Sequence, residues 1–188
     1  MMDLERQYRK TPRAGWIDYE RGIFFITICT KYKKHFFGSI SGGEMRLSAA
    51  GKIVEKHLYK ASNIVDSIDL LLFVVMPNHI HMIVRVEPIC CDLEAGPNEQ
   101  RNPNPSLRPN SSISRYVPKL TRFIRSFKAS VTIEARRVNR EFGWQGRFHD
   151  HLIRGRKDMN KIADYIVNNV ARWESDCFNE KSETKDIQ

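Results

Sequence analysis

FVVMPNHIHMIV, residues 73–84, is a pair of apolar runs separated by Pro77 and Asn78. Both of these residue types favour a turn, so the runs 68–76 and 79–86 read as adjacent antiparallel strands. Within the second run His79 and His81 stand two apart and share a face, while Ile80 and Met82 point the other way, into a core. Two neutral imidazoles on one face suit a borderline divalent metal. The competing reading is two polar residues on a solvated strand face.

Working outward, GIFFITICT at 22–30 is β-branched and aromatic and predicts a buried strand. Gly42 and Gly43 mark a hairpin or tight turn between SI and EMRLS. Ile53, Val54, His57 and Leu58 recur at helical spacing behind Ser48, a capping residue, which predicts a helix over 48–63. The stretch 87–112 holds five prolines and almost no apolar pattern, and reads as a flexible insertion. Beyond it Leu120, Phe123, Ile124, Phe127, Val131 and Ala135 form the stripe of a long helix over 115–140. FHDHLIR from Phe148 alternates like a short strand. Asp158 is expected to cap a last helix reaching about 173, with Ile162, Ile166 and Val170 on one face. This order predicts an α+β fold, a ferredoxin-like antiparallel sheet with helices packed on one face.

The chain has 188 residues and a formal net charge of +9. That length fits one domain, taken as 1–176, followed by a polar tail over 177–188. No apolar run approaches a membrane span, and the charged opening MMDLERQYRK lacks the apolar core of a secretory signal, so the cytoplasm is the expected compartment. Between Arg115 and Arg172 fourteen Lys and Arg face five acids, an excess equal to that of the whole chain. Such a charge favours a polyanionic partner. Arg122, Arg125 and Lys128 on the long helix, with Arg147 and Arg154 around the strand after it, are the candidate phosphate contacts. Trp144 and Phe148 are candidates for base stacking or for core packing.

Tyr165 and Asn169 stand four apart on the last predicted helix and so share a face, from which a phenol and an amide oxygen could approach a metal. His149 and His151 form a second His-x-His pair, which with His79 and His81 would make a four-histidine zinc site. FVVMPNHIHMIV, then WQGRFHDHLIR, then DMNKIADYIVNNVARW, in that order, resemble the HUH single-tyrosine transposases, in particular the branch related to REP-associated tyrosine transposases. The resemblance implies a ferredoxin-like fold and a divalent cation, Mg2+ or Mn2+, on His79, His81 and Asn169. It implies Tyr165 as the nucleophile, forming a 5′-phosphotyrosine with single-stranded or hairpin DNA. It also implies a supporting place for His151 in the active site. One departure is Val170, where the family pattern has proline after the asparagine. A homodimer with the tyrosine supplied by the partner chain and a monomer are both compatible with the sequence. Two other functions compete: a non-catalytic module that binds single-stranded nucleic acid, and a zinc metallohydrolase built on the four histidines.

Overall fold

The structure, a computed structural model, describes residues 18–61, 67–87, 117–176 and 178–179. The two runs around Pro77 and Asn78 are strands β4 (Ile68–Val75) and β5 (His79–Val86). Before them come β1 (Gly22–Cys29), the hairpin β2 (Gly38–Ser41) and β3 (Glu44–Leu47), and helix α1 (Ala49–Ala61). After them come α2 (Lys119–Val138), β6 (His149–Leu152) and α3 (Arg156–Val167). The main sheet has the order β4-β5-β1-β6, and every neighbouring pair is antiparallel. β1 and β4 therefore run parallel with β5 between them, and β5 and β6 run parallel with β1 between them. These two interleaved βαβ units, crossing through α1 and α2, are the ferredoxin-like arrangement. The hairpin β2-β3 stands apart as its own two-stranded sheet.

Strand alternation decides what each face buries. Phe24, Ile26 and Ile28 of β1 and Ile80, Met82, Val84 and Val86 of β5 form the main core with Val54 and Leu58 of α1 and the predicted stripe of α2. The intervening residues Phe25 and Ile83 are apolar too, and they pack beneath Ile162 and Ile166 of α3. Helices thus cover both faces of the sheet rather than one, because the two central strands are apolar on both sides and each side needs a cover.

Local chemistry accounts for the element ends. Ser48 Oγ accepts the Gly51 N–H at 3.1 Å and caps α1 as expected. Gly42 and Gly43 have φ of +62° and +75°, the pair of left-handed residues that a tight hairpin turn requires. α2 begins at Lys119 rather than 115, since Pro118 disfavours helical geometry in the residue before it. α3 begins after Gly155, which places Asp158 in its first turn rather than at the cap, and it stops at Val167 instead of running to 173. There the Asn168 side chain donates to the Asp164 carbonyl, and the chain tightens into a turn with Asn169 N–H on the Ile166 carbonyl. Residues 88–112 of the predicted insertion, the predicted end of α1 at 62–63 and the tail over 180–188 lie outside the described residues. Among the described residues no helix is long and apolar enough to cross a membrane.

Candidate active site

The strand positions of His79 and His81 put both rings on the α3 face of β5, where they are 0% and 1% exposed. Their Nε2 atoms are 3.0 Å apart. Asn78, in the turn before the strand, fixes the first ring. Its Nδ2 donates to the Lys33 and Phe178 carbonyls, at 3.1 and 2.8 Å, so its Oδ1 accepts from His79 Nδ1 at 2.8 Å. The His79 proton therefore sits on Nδ1, and Nε2 presents a lone pair. Thr27 Oγ1 lies 2.9 Å from His81 Nδ1 and anchors the second ring, its hydroxyl being able to donate or to accept there. Burial pushes the His79 pKa down to about 3, helped by His35 and Lys33. Burial also pushes His81 down to about 3, helped by His79 and opposed by Asp176. Both rings are neutral at pH 7.

Tyr165, on α3, brings its hydroxyl 3.2 Å from His81 Nε2 and donates to Asp176 Oδ2 at 3.4 Å. Phe25 organises the contact from β1: it stacks on His81, with centroids 5.1 Å apart, and meets Tyr165 edge-on at 6.2 Å. Asp176 follows a short 3-10 turn, Trp173–Ser175, and its Oδ1 accepts the Phe178 N–H at 2.7 Å. The Phe178 ring packs on His79 at 4.5 Å. One chain thus supplies the histidine pair, a phenol and a carboxylate to the same place.

The donor set fits a divalent cation. Ligand atoms of His79, His81 and Asp176 lie within 4.8 Å of one another, and among the described residues these form the His, Cys, Asp or Glu group able to hold a metal. Two imidazole nitrogens bound at about 2.1 Å and at right angles to one ion stand about 3.0 Å apart, the separation found here. Asn169 is 1% exposed and its buried Oδ1 has no hydrogen-bond partner among the described residues, an acceptor of the kind that an ion satisfies.

Comparison with known proteins gives this geometry a context. An uncharacterised protein of Haemophilus influenzae Rd is 30% identical over 171 residues, which is 90% of this chain and 92% of that one. The two belong to one family. A REP-associated tyrosine transposase, solved with a REP hairpin bound, matches with a TM-score of 0.53 and 17% identity over 82% of this chain and 69% of its own. The chain has the fold of a REP-associated tyrosine transposase. A candidate transposase of Deinococcus radiodurans R1 aligns more loosely, at 12% identity and a TM-score of 0.45. No protein-family model matches the chain.

Within this fold the sequence-predicted residues fall into four groups. His79, His81 and Tyr165 are brought together. His151 is not in that cluster: its Nε2 meets Asp158 Oδ2 at 2.9 Å, and the same oxygen accepts Arg154 N–H at 3.1 Å. It ties β6 to the first turn of the tyrosine helix. His149 and His151 are exposed and do not join the buried pair, so the four-histidine zinc cage does not form. Arg122 and Arg125 are exposed on α2, which covers the face of the sheet opposite the histidines. Lys128 donates to the Gln145 carbonyl at 2.6 Å, and Arg147 and Arg154 are exposed on either side of β6. Trp144 is partly buried against the core: it packs with Phe37, Phe127 and Phe142 and donates to the Lys128 carbonyl. Phe148 is partly buried against the same core. Sequence reading missed Asp176 and Phe178, which reach the site only because α3 stops early and the chain turns back.

Proposed function

We propose that the protein is a DNA transposase or recombinase that nicks and rejoins single-stranded DNA near hairpins, with Tyr165 as its nucleophile. The observation that carries this reading is the seat of the Tyr165 hydroxyl, 3.2 Å from His81 Nε2 in the same chain, beside a buried pair of neutral imidazoles. His79 and His81 would hold Mg2+ or Mn2+, with Asp176 and the uncompensated Asn169 Oδ1 as the oxygen ligands. Bound there, such an ion neutralises phosphate charge and holds the phosphodiester for in-line attack.

The chain's own residues do the rest. A phenol has an ordinary pKa of about 10 and is a weak nucleophile until positioned. Phe25 and His81 position this one, and Asp176 Oδ2 lies on the path of its proton. Attack of Tyr165 Oη on phosphorus forms the 5′-phosphotyrosine as the bond to the 3′-oxygen breaks, and that oxygen leaves as a 3′-hydroxyl. The phosphotyrosine keeps the ester bond, so a DNA 3′-hydroxyl can reverse the step and join strands with no external energy source. The nucleophile and the histidines come from one chain, which supports action in cis.

The test is incubation of the purified protein with end-labelled hairpin DNA carrying single-stranded flanks, with Mn2+ or Mg2+. A covalent adduct is expected from the wild type and none from Tyr165→Phe. An adduct that persists in Tyr165→Phe overturns the assignment of the nucleophile. Salt-sensitive binding with no adduct and no effect of His79→Ala favours a non-catalytic binding module.

A further inference from the structure

Two of the three non-glycine residues with positive φ among the described residues are consecutive, Tyr32 at +56° and Lys33 at +50°. They lie in the turn TKYKK that leaves β1, at the end of the sheet where the histidines sit. Left-handed geometry is unfavourable for side chains of this size, and adjacent instances persist only where the surroundings impose them. Here Thr30 Oγ1 donates to the Lys34 carbonyl at 2.7 Å, and Asn78 Nδ2 donates to the Lys33 carbonyl. The result is a tyrosine, Tyr32, that is 76% exposed, in a turn that also contains Lys31, Lys33 and Lys34. The core does not use that ring.

The turn is wired to the site. The asparagine that holds it, Asn78, is the one that sets the His79 tautomer. Lys33 Nζ lies 5.6 Å over the Phe178 ring, which packs on His79. Lys34 is engaged with Glu141, whereas Lys31 Nζ sits 5.0 Å over the Tyr32 ring itself. An exposed aromatic face with cations beside it is the chemistry that holds a single-stranded base and its phosphate.

We infer that Tyr32 is a stacking platform for one unpaired base of the DNA flank, with Lys31 and Lys33 on its phosphates, and that it sets which nucleotide is presented to Tyr165. This rests on single-stranded DNA being the substrate. The test uses the full chain and hairpins with four-nucleotide flanks at either the 5′ or the 3′ end, each flank position replaced in turn by an abasic unit, alongside a blunt hairpin. Tyr32→Ala should weaken binding of the flanked hairpin about 5- to 150-fold. Tyr32→Phe should bind like the wild type, and the blunt hairpin should not distinguish the three proteins. One abasic position should weaken the wild type and leave Tyr32→Ala unaffected. Equal binding by Tyr32→Ala and wild type, or abasic losses that simply add to that of Tyr32→Ala, overturns the platform. The adduct assay fails separately: no adduct with an intact abasic footprint at Tyr32 sinks the nucleophile and keeps the platform. An adduct with no such footprint does the reverse.

Discussion

At the scale of single residues, the orientation of the histidines matters as much as their spacing. Asn78 is fully buried and spends its whole side chain on His79, Lys33 and Phe178. Asn78→Ala should lower Mn2+ affinity about 10- to 100-fold in calorimetric titration, as losing the partner of a metal-binding histidine does. The carbonyls of the half-buried Lys33 and Phe178 lose their donor as well, and the two lost hydrogen bonds should together lower stability by about 1–3 kcal/mol in urea denaturation. The histidines also set an acid limit. Their folded pKa values, about 3, lie below the ordinary 6.5, so between these values the unfolded chain binds more protons than the folded one. In the metal-free protein their contribution is complete above about pH 6.5 and is lost as pH falls toward 3. The melting temperature in EDTA should therefore fall more steeply between pH 6.5 and 4.5 in the wild type than in His79→Gln; equal slopes would refute this. The pair and Tyr165 were legible because a two-residue strand spacing and a helix position are local facts. Asp176 was not, since it lies eleven positions beyond Tyr165 and past an early helix end. Asn169 was chosen by helical spacing, yet it lies just past the end of α3.

At the scale of elements, the buried character of β1, the alternation of β5 and the apolar stripe of α2 were readable, and the register of β1 against β5, with α3 packed over them, brings Phe25, His81 and Tyr165 into contact. The reading failed where a side chain competes with the backbone, as Asn168 does at the end of α3, and where Pro118 delays the start of α2. Close approach between elements is equally invisible in sequence. Gly51, near the start of α1, sits so close to the Phe37 carbonyl oxygen that an added Cβ would collide with backbone. Replacing a helical glycine by alanine ordinarily stabilises by about 1 kcal/mol. Gly51→Ala should destabilise instead, because neither α1 nor the Phe37 strand entry can yield without disturbing the Ser48 cap, whose Oγ bridges the Phe36 carbonyl and the Gly51 N–H. A lowered urea midpoint with unchanged dependence on denaturant is expected, and a raised midpoint would show that the helix shifts freely.

At the scale of the whole molecule, the sheet divides charge from chemistry. The constellation of His79, His81 and Tyr165 lies on one face, while Arg122 and Arg125 ride α2 on the other. The chain from α2 to β6 connects the two: Lys128 holds the Gln145 carbonyl, and Arg147 and Arg154 follow along the edge strand. A hairpin stem lying over α2 with its single strand passing the β6 edge would use both sets. Binding and chemistry should then separate. The double variant Arg122→Gln, Arg125→Gln should weaken hairpin binding and reduce the slope of log K against log salt by about 1.4 to 1.8, the counterion release of two phosphate contacts. Adduct formation at saturating DNA should keep its rate, because neither arginine is near Tyr165. Arg154→Gln, one residue from the Gly155 that opens the tyrosine helix, should lower both affinity and the saturated rate. An unchanged salt slope in the α2 double variant would confine the DNA to the histidine face, leaving the charge of α2 to solvent.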